Sequence, residues 1–99
     1  MTRYKVILNP VSGSGTGARS EQRLISELDQ LKLNYDFTRT EERGHAIRIA
    51  RQAAIDGYDV VVAAGGDGTV NEVINGLLQA EDEGHPARAL GVVCVGRGR

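Results

Sequence analysis

A chain of 99 residues, 40% hydrophobic and 25% charged, has the make-up of one small globular domain and no more. Its net charge of −1 removes the broad basic field on which nucleic-acid binding depends. The single cysteine, Cys94, excludes an internal disulfide and a cysteine-rich metal site; with no long apolar run and no signal-peptide pattern in "MTRYKVILNP", the chain is expected to be cytoplasmic.

The first element is "YKVILN" (4–9), a Val/Ile-rich run that does not alternate, as in a strand covered on both faces of a parallel sheet. Pro10 ends it, because proline has no N–H to give to the ladder. The following "NPVSGSGTGA" (9–18) is built of small residues that let backbone N–H groups converge on an anion, and it opens a helix whose N-terminus adds partial positive charge. It is not a Walker A loop, lacking the Lys-Ser/Thr pair. It does contain G-x-G-x-x-A at Gly13, Gly15 and Ala18, a dinucleotide-binding signal that is weak by itself. A plain connector explains the Gly/Ser content about as well.

Residues 18–32 carry Leu24, Ile25, Leu28 and Leu31 on one helical face. "NYDFTRT" (34–40) alternates and reads as a less buried strand near an edge. It ends in Arg39 and Thr40 rather than in the acid that holds a ribose hydroxyl; Arg39 suits NADP instead, so an NADP-binding module stays open as a rival. Residues 44–56 repeat the helical stripe with Ala46, Ile47, Ala50, Ala53 and Ala54, and Gly57 is the expected stop. His45, at the start of that helix, is expected to face solvent. "YDVVVAA" (58–64) is a second strongly apolar strand, residues 69–80 a third helix, "EDEGHPAR" (81–88) a polar loop, and "ALGVVCV" (89–95) a last buried strand before "GRGR". The order β-α-β-α-β-α-β predicts an α/β three-layer sandwich on a mostly parallel sheet. Ligands of such sheets sit outside the carboxyl ends of the strands, where the glycine-rich segments fall.

The segment "GGDGTVNE" (65–72) is the most informative. Thr69 and Glu72 fit a capping box for the third helix, and Gly65 and Gly66 fit backbone with positive φ. That leaves Asp67 and Asn71 unused, and three glycines in four positions exceed what a turn needs. The pattern points to a ligand pressed against bare backbone at a helix N-terminus. A carboxylate there would repel phosphate unless a cation or a hydroxyl lies between, so Asp67 reads as a Mg²⁺-linked or hydroxyl-contacting group.

"GGDGTVNEVINGL" resembles the signature of the diacylglycerol kinase catalytic domain, a family that includes bacterial lipid kinases and sphingosine kinases. "NPVSG" (9–13) looks like its first motif, "TRTEERGHA" (38–46) its second segment and "LGVVCVGRG" (90–98) its third glycine loop, so the resemblance covers essentially the whole chain. It implies the NAD kinase/diacylglycerol kinase-like fold, ATP with Mg²⁺, and phosphoryl transfer to a lipid hydroxyl such as that of diacylglycerol. By the same resemblance Asn9, Pro10, Val11, Ser12 and Gly13 would lie by the nucleotide phosphates and Thr40 would touch the nucleotide. Gly65, Gly66, Asp67, Gly68, Thr69, Val70, Asn71 and Glu72 would form the main ATP loop, with Gly96 and Arg97 in the third loop and Asp67 reaching the metal through ATP.

Three departures bear on this. Cys94 stands where proline is usual, Arg97 where threonine is usual, and the sequence stops at Arg99 before the expected Asn-Asp. Family members are roughly two to three times as long, in line with two ordinary domains. Their second domain, a β-sandwich, carries the lipid pocket and the catalytic base. The expectation is therefore that residues 1–99 are the N-terminal nucleotide-binding part, inactive alone, with no catalytic base to assign. Its expected partners are ATP, a lipid met through the missing domain, the inner membrane face as a peripheral contact, and a second copy in a homodimer. Two alternatives stand beside it: an NAD(P)-binding or NAD kinase-like module, and a non-enzymatic chain that associates through the surface meant for the second domain.

Overall fold

A computed structural model describes residues 1–10 and 17–94, the side chains of 17–20 and of 94 left aside. The elements are β1 (Arg3–Leu8), α1 (Gly17–Gln30), β2 (Asn34–Arg39), α2 (His45–Ile55), β3 (Val60–Gly65), α3 (Asp67–Asp82) and β4 (Leu90–Cys94). All strand pairs are parallel, in the order β2-β1-β3-β4. The expected α/β class and element order are what the chain adopts, and "NYDFTRT" is indeed an edge strand.

Strand alternation splits the core in two. Ile7, Val61 and Ala63 point to the face covered by α2 and α3, where Ala46, Ala50, Ala53, Val73, Leu77 and Ala80 pack against them. Val6, Leu8 and Ala64 point to the other face, under Leu24 and Leu28 of α1, with Tyr35, Phe37 and Val62 packed around them. Non-alternating hydrophobicity in β1 and β3 follows from this double cover. Polar β2 is the strand that lies outside it.

The last strand departs from expectation. "ALGVVCV" reads as buried on both faces, yet Val92 is 52% exposed and Leu90 39%. Register explains it: Leu90 and Val92 pair with Val61 and Ala63, so they share the α2/α3 face, but β4 is the edge strand there and α3 packs over β3. Ile74 and Leu78, one turn apart on α3, are exposed as well. No helix among the described residues is long and apolar enough to cross a membrane.

The helices stop by one device. After α2, the Tyr58 N–H donates to the Ala53 carbonyl and the Gly57 N–H to that of Ala54 (3.2 Å each), with Gly57 at φ +87°. After α3, His85 bonds back to Ala80 at 2.8 Å and Gly84 to Glu81 at 3.0 Å, with Gly84 at φ +93°. This is the Schellman pattern, which satisfies the last carbonyls and needs a left-handed residue. Its third copy, after α1, puts Lys32 in that role at φ 57°.

α2 and α3 lie unusually close. A Cβ built on Gly76 would stand 2.2 Å from the Ile47 carbonyl oxygen and 3.0 Å from the Ala50 Cβ, so only a glycine fits this crossing. The Ala-rich face of α2 serves the same approach. At the far end the pair is held by Arg51, whose Nε and NH2 donate to the two Glu83 oxygens at 2.9 and 2.6 Å.

Candidate active site

The connections from β1 and β3 leave the sheet toward opposite faces, to α1 and to α3, so a crevice opens at their carboxyl ends. A cavity of ≈ 510 Å³ lies at these strand ends, lined by Asn9 after β1, by Thr40 to Arg43 after β2, by Ala46 of α2, and by Gly66, Gly68, Thr69 and Glu72 at and beyond the end of β3. Asn9 and Thr40 are held by backbone bonds: the Asn9 N–H donates to the Ala64 carbonyl at 3.0 Å and the Thr40 N–H to that of Leu8 at 2.8 Å. Three segments distant in sequence therefore meet at one edge.

The loop from 65 to 72 differs from its expected local geometry. α3 begins at Asp67, two residues before the expected Thr69, with Gly66 as its N-cap and no side-chain cap bond. The capping box is therefore not formed. Thr69 is inside the first turn, and Glu72, the sixth residue of the helix, is too far along to return to the cap. Its Oε2 instead accepts the Gly44 N–H at 3.1 Å, across to the start of α2. Gly66 is extended (φ −94°, ψ −168°), and positive φ is confined to Gly44, Gly57, Gly84 and Lys32 among the described residues, so left-handed backbone does not explain the glycines.

Packing does not explain them either. A Cβ on Gly66 or Gly68 would meet none of the described residues within 4 Å. The first-turn N–H groups of α3 have no intrahelical acceptor, and the N-cap residue, Gly66, has no side chain to offer them one. Thr69 is 4% exposed, lines the cavity, and its Oγ1 has no hydrogen-bond partner among the described residues. An electropositive helix end with a glycine as its N-cap, beside a buried hydroxyl unpartnered among the described residues, is suited to an oxyanion such as phosphate.

The other expected site residues fall as follows. Asp67 is exposed at the first position of α3, where its charge favours the helix dipole; it is outside the set lining the cavity, as are Pro10, Gly65 and Asn71. Val70 packs against the α2/α3 core. Val11, Ser12, Gly13, Gly96 and Arg97 lie outside the described residues. Among the described residues no three His, Cys, Asp or Glu side chains stand together to hold a metal. An ion here would have to bring most of its ligands, as Mg²⁺ on nucleotide phosphates does. Sequence reasoning missed Glu41, Glu42, Arg43 and Ala46 in the cavity wall. The signal was available, since the loop after β2 opens at the same edge as the other two.

Arg39, the residue on which the NADP reading leans, is engaged elsewhere. Its Nε donates to Glu21 Oε1 at 2.7 Å and a second bond joins NH2 to Glu21 Oε2, a bidentate pair with α1 that holds the guanidinium above its usual pKa. His45 is half-buried rather than free in solvent, its Nδ1 accepting the Glu41 N–H at 2.9 Å.

Residues 3–99 match the diacylglycerol kinase catalytic domain family. The chain is 34% identical over 96 residues to a diacylglycerol kinase of Bacillus subtilis, covering 97% of this chain and 30% of that protein. It is 38% identical over 94 residues to one of Staphylococcus aureus, covering 95% and 29%. A crystal structure of a diacylglycerol kinase from Bacillus anthracis superposes with a TM-score of 0.79 at 26% identity, over 95% of this chain and 33% of that one. The chain thus spans about a third of the length of the relatives it matches. With the parallel sheet, the glycine-rich edge and the match over residues 3–99 all agreeing, the chain belongs to the diacylglycerol kinase catalytic domain family.

Proposed function

We propose that residues 1–99 are the nucleotide-binding part of a lipid kinase, taking ATP with Mg²⁺ in the cavity at the ends of β1, β2 and β3. The observation that carries this is the pair Gly66 and Gly68, which neither backbone angle nor contact with a described residue requires, beside a helix start with a glycine N-cap and a Thr69 hydroxyl unpartnered among the described residues. Bare backbone at these two positions lets phosphate oxygens approach the α3 N–H groups. Asn9 and Thr40 would flank the nucleotide, and Ser12 and Gly13 would add N–H donors from the first loop. Bound Mg²⁺ would offset phosphate charge, and Asp67 is the acid of the loop best placed in sequence to meet it through water.

In this reading the chain's own contribution to phosphoryl transfer is positioning and preorganised electrostatics. The acceptor is a lipid hydroxyl of the diacylglycerol class, presented by the remaining two thirds of a protein of the relatives' length, with peripheral contact at the inner membrane face. The isolated chain is accordingly expected to bind nucleotide with little turnover. The bidentate hold of Glu21 on Arg39 argues against NADP as the natural ligand.

The test is calorimetric titration of ATP with Mg²⁺ against the chain and against Gly66→Asp. The variant sets a carboxylate where phosphate is meant to lie and should lose binding about tenfold or more. Equal binding by both would remove the loop from the site, and preferential binding of NADPH would reverse the choice of ligand.

A further inference from the structure

We propose that Glu72 is a positioning residue whose carboxylate latches the segment between β2 and α2 to α3, and so fixes the two walls of the cavity relative to each other. Its consequence for ATP rests on the nucleotide reading above; the latch itself does not.

Thr40, Glu42 and Arg43 line the cavity from the β2–α2 segment, and Gly68, Thr69 and Glu72 line it from α3. The two elements are more than twenty residues apart in sequence, so nothing local sets their spacing. At its start the segment is tied to the sheet by the Thr40 N–H to the Leu8 carbonyl. Beyond that, the Glu41 N–H donates to His45 Nδ1 at 2.9 Å and Arg48 NH2 to Glu42 Oε2 at 2.8 Å, both returning to α2. The bond from the Gly44 N–H to Glu72 Oε2, at 3.1 Å and partly buried, crosses to α3 instead.

Gly44 is where such a tie has most effect. It is the N-cap of α2 at φ +85°, with no side-chain cap and no side chain of its own to fix it. An ionised acceptor on its N–H restrains a backbone that would otherwise be permissive. Glu72 can reach it because it lies one helical turn before Gly76, the residue in contact with α2, and so stands on the α2 side of α3. The carboxylate that sequence pattern assigns to capping its own helix thus secures the neighbouring one.

Three variants separate reach from charge. Glu72→Gln keeps the reach and an acceptor oxygen without the charge; Glu72→Asp keeps the charge but is one methylene short; Glu72→Ala has neither. In the nucleotide-free 99-residue chain, NMR hydrogen exchange of the Gly44 amide should quicken about tenfold in the Ala and Asp variants, with Gln recovering most of the protection. Calorimetry with ATP and Mg²⁺ should give the same ranking, Ala and Asp weaker by about five- to tenfold. Amides of β1 should exchange at the wild-type rate throughout; if the Ala variant does not fold, the Gln and Asp pair decides. Unchanged Gly44 exchange in Asp and Ala would overturn the latch. Binding that follows charge, with Asp above Gln, would overturn the latch's consequence for ATP and assign the carboxylate to the metal or nucleotide directly. The predicted exchange ranking in a chain that binds no ATP would uphold the latch and defeat the nucleotide reading.

Discussion

Gly68 and Gly76 are eight residues apart on one helix, and the sequence writes them alike. Their surroundings are opposite. Gly76 faces the Ile47 carbonyl and the Ala50 side chain with no space for a methyl group, whereas at Gly68, as at Gly66, a methyl group would touch none of the described residues. One glycine is demanded by the fold; the others are tolerated by it. The difference teaches how to separate folding from function in a glycine-rich loop: a glycine that neither the backbone angle nor a neighbour explains is available to explain a ligand.

The comparison breaks first at Gly76. Gly76→Ala should destabilise the chain by about 3 kcal/mol, because a backbone oxygen cannot turn aside as a side chain can and α2 and α3 would have to separate. Urea unfolding measures it, and a change under about 1 kcal/mol would mean that the crossing is looser than its geometry. Gly68→Ala should do the reverse. Stability should hold or rise by about 0.5 kcal/mol, since alanine is the better helix residue, while ATP affinity falls about tenfold. Stability and affinity falling together at Gly68 would merge the two classes of glycine into one.

Lys32 sharpens the comparison by adding a third class, demanded by angle rather than by space. It occupies the left-handed position that Gly57 and Gly84 fill after the other two helices. Lys32→Gly should therefore raise stability, by roughly 0.5–1 kcal/mol and with no effect on nucleotide binding. A loss on thermal melting would show that the lysine side chain contributes more than its backbone angle costs.

The smallest effect is expected at the far end of the helix pair. Arg51 holds the Glu83 carboxyl below its usual pKa through their hydrogen bonds. A carboxyl lowered in the folded state adds stability above its unfolded pKa, and that stability is lost as pH falls through the folded value. Arg51→Gln should return the Glu83 titration, followed by NMR, toward the ordinary glutamate range and flatten the acid limb of stability slightly; an unmoved titration would mean that the pair is not formed in solution.

Much of the fold was legible because double cover leaves a plain trace: β1 and β3 carry unbroken apolar runs, Leu24, Leu28 and the alanines of α2 fall on buried faces, and Gly57 marks its helix end. Leu31, expected on the α1 stripe, instead lies beyond the helix and is 67% exposed. β4 misled because an apolar run records what a strand is able to bury, not what lies over it. Thr69 and Glu72 misled because a capping box is a local pattern, and α3 took Gly66 as its cap and released Glu72 to a partner 28 residues away. The cavity wall from Glu41 to Arg43 was missed although parallel alternation puts the end of β2 at the same edge, because no glycine loop marks it and its closeness to the site depends on the sheet order that brings β2 beside β1. Gly76 passed unremarked because nothing in its own neighbourhood announces a helix crossing.

The open space over Gly66 and Gly68 also bears on how such a chain would drift. A descendant released from ligand binding could exchange both for alanine and gain helix propensity, yet would still have to keep Gly76. Lineages of this fold that have fallen silent should then be recognisable by a filled loop above an unaltered crossing, a signature that could be looked for before any activity is measured.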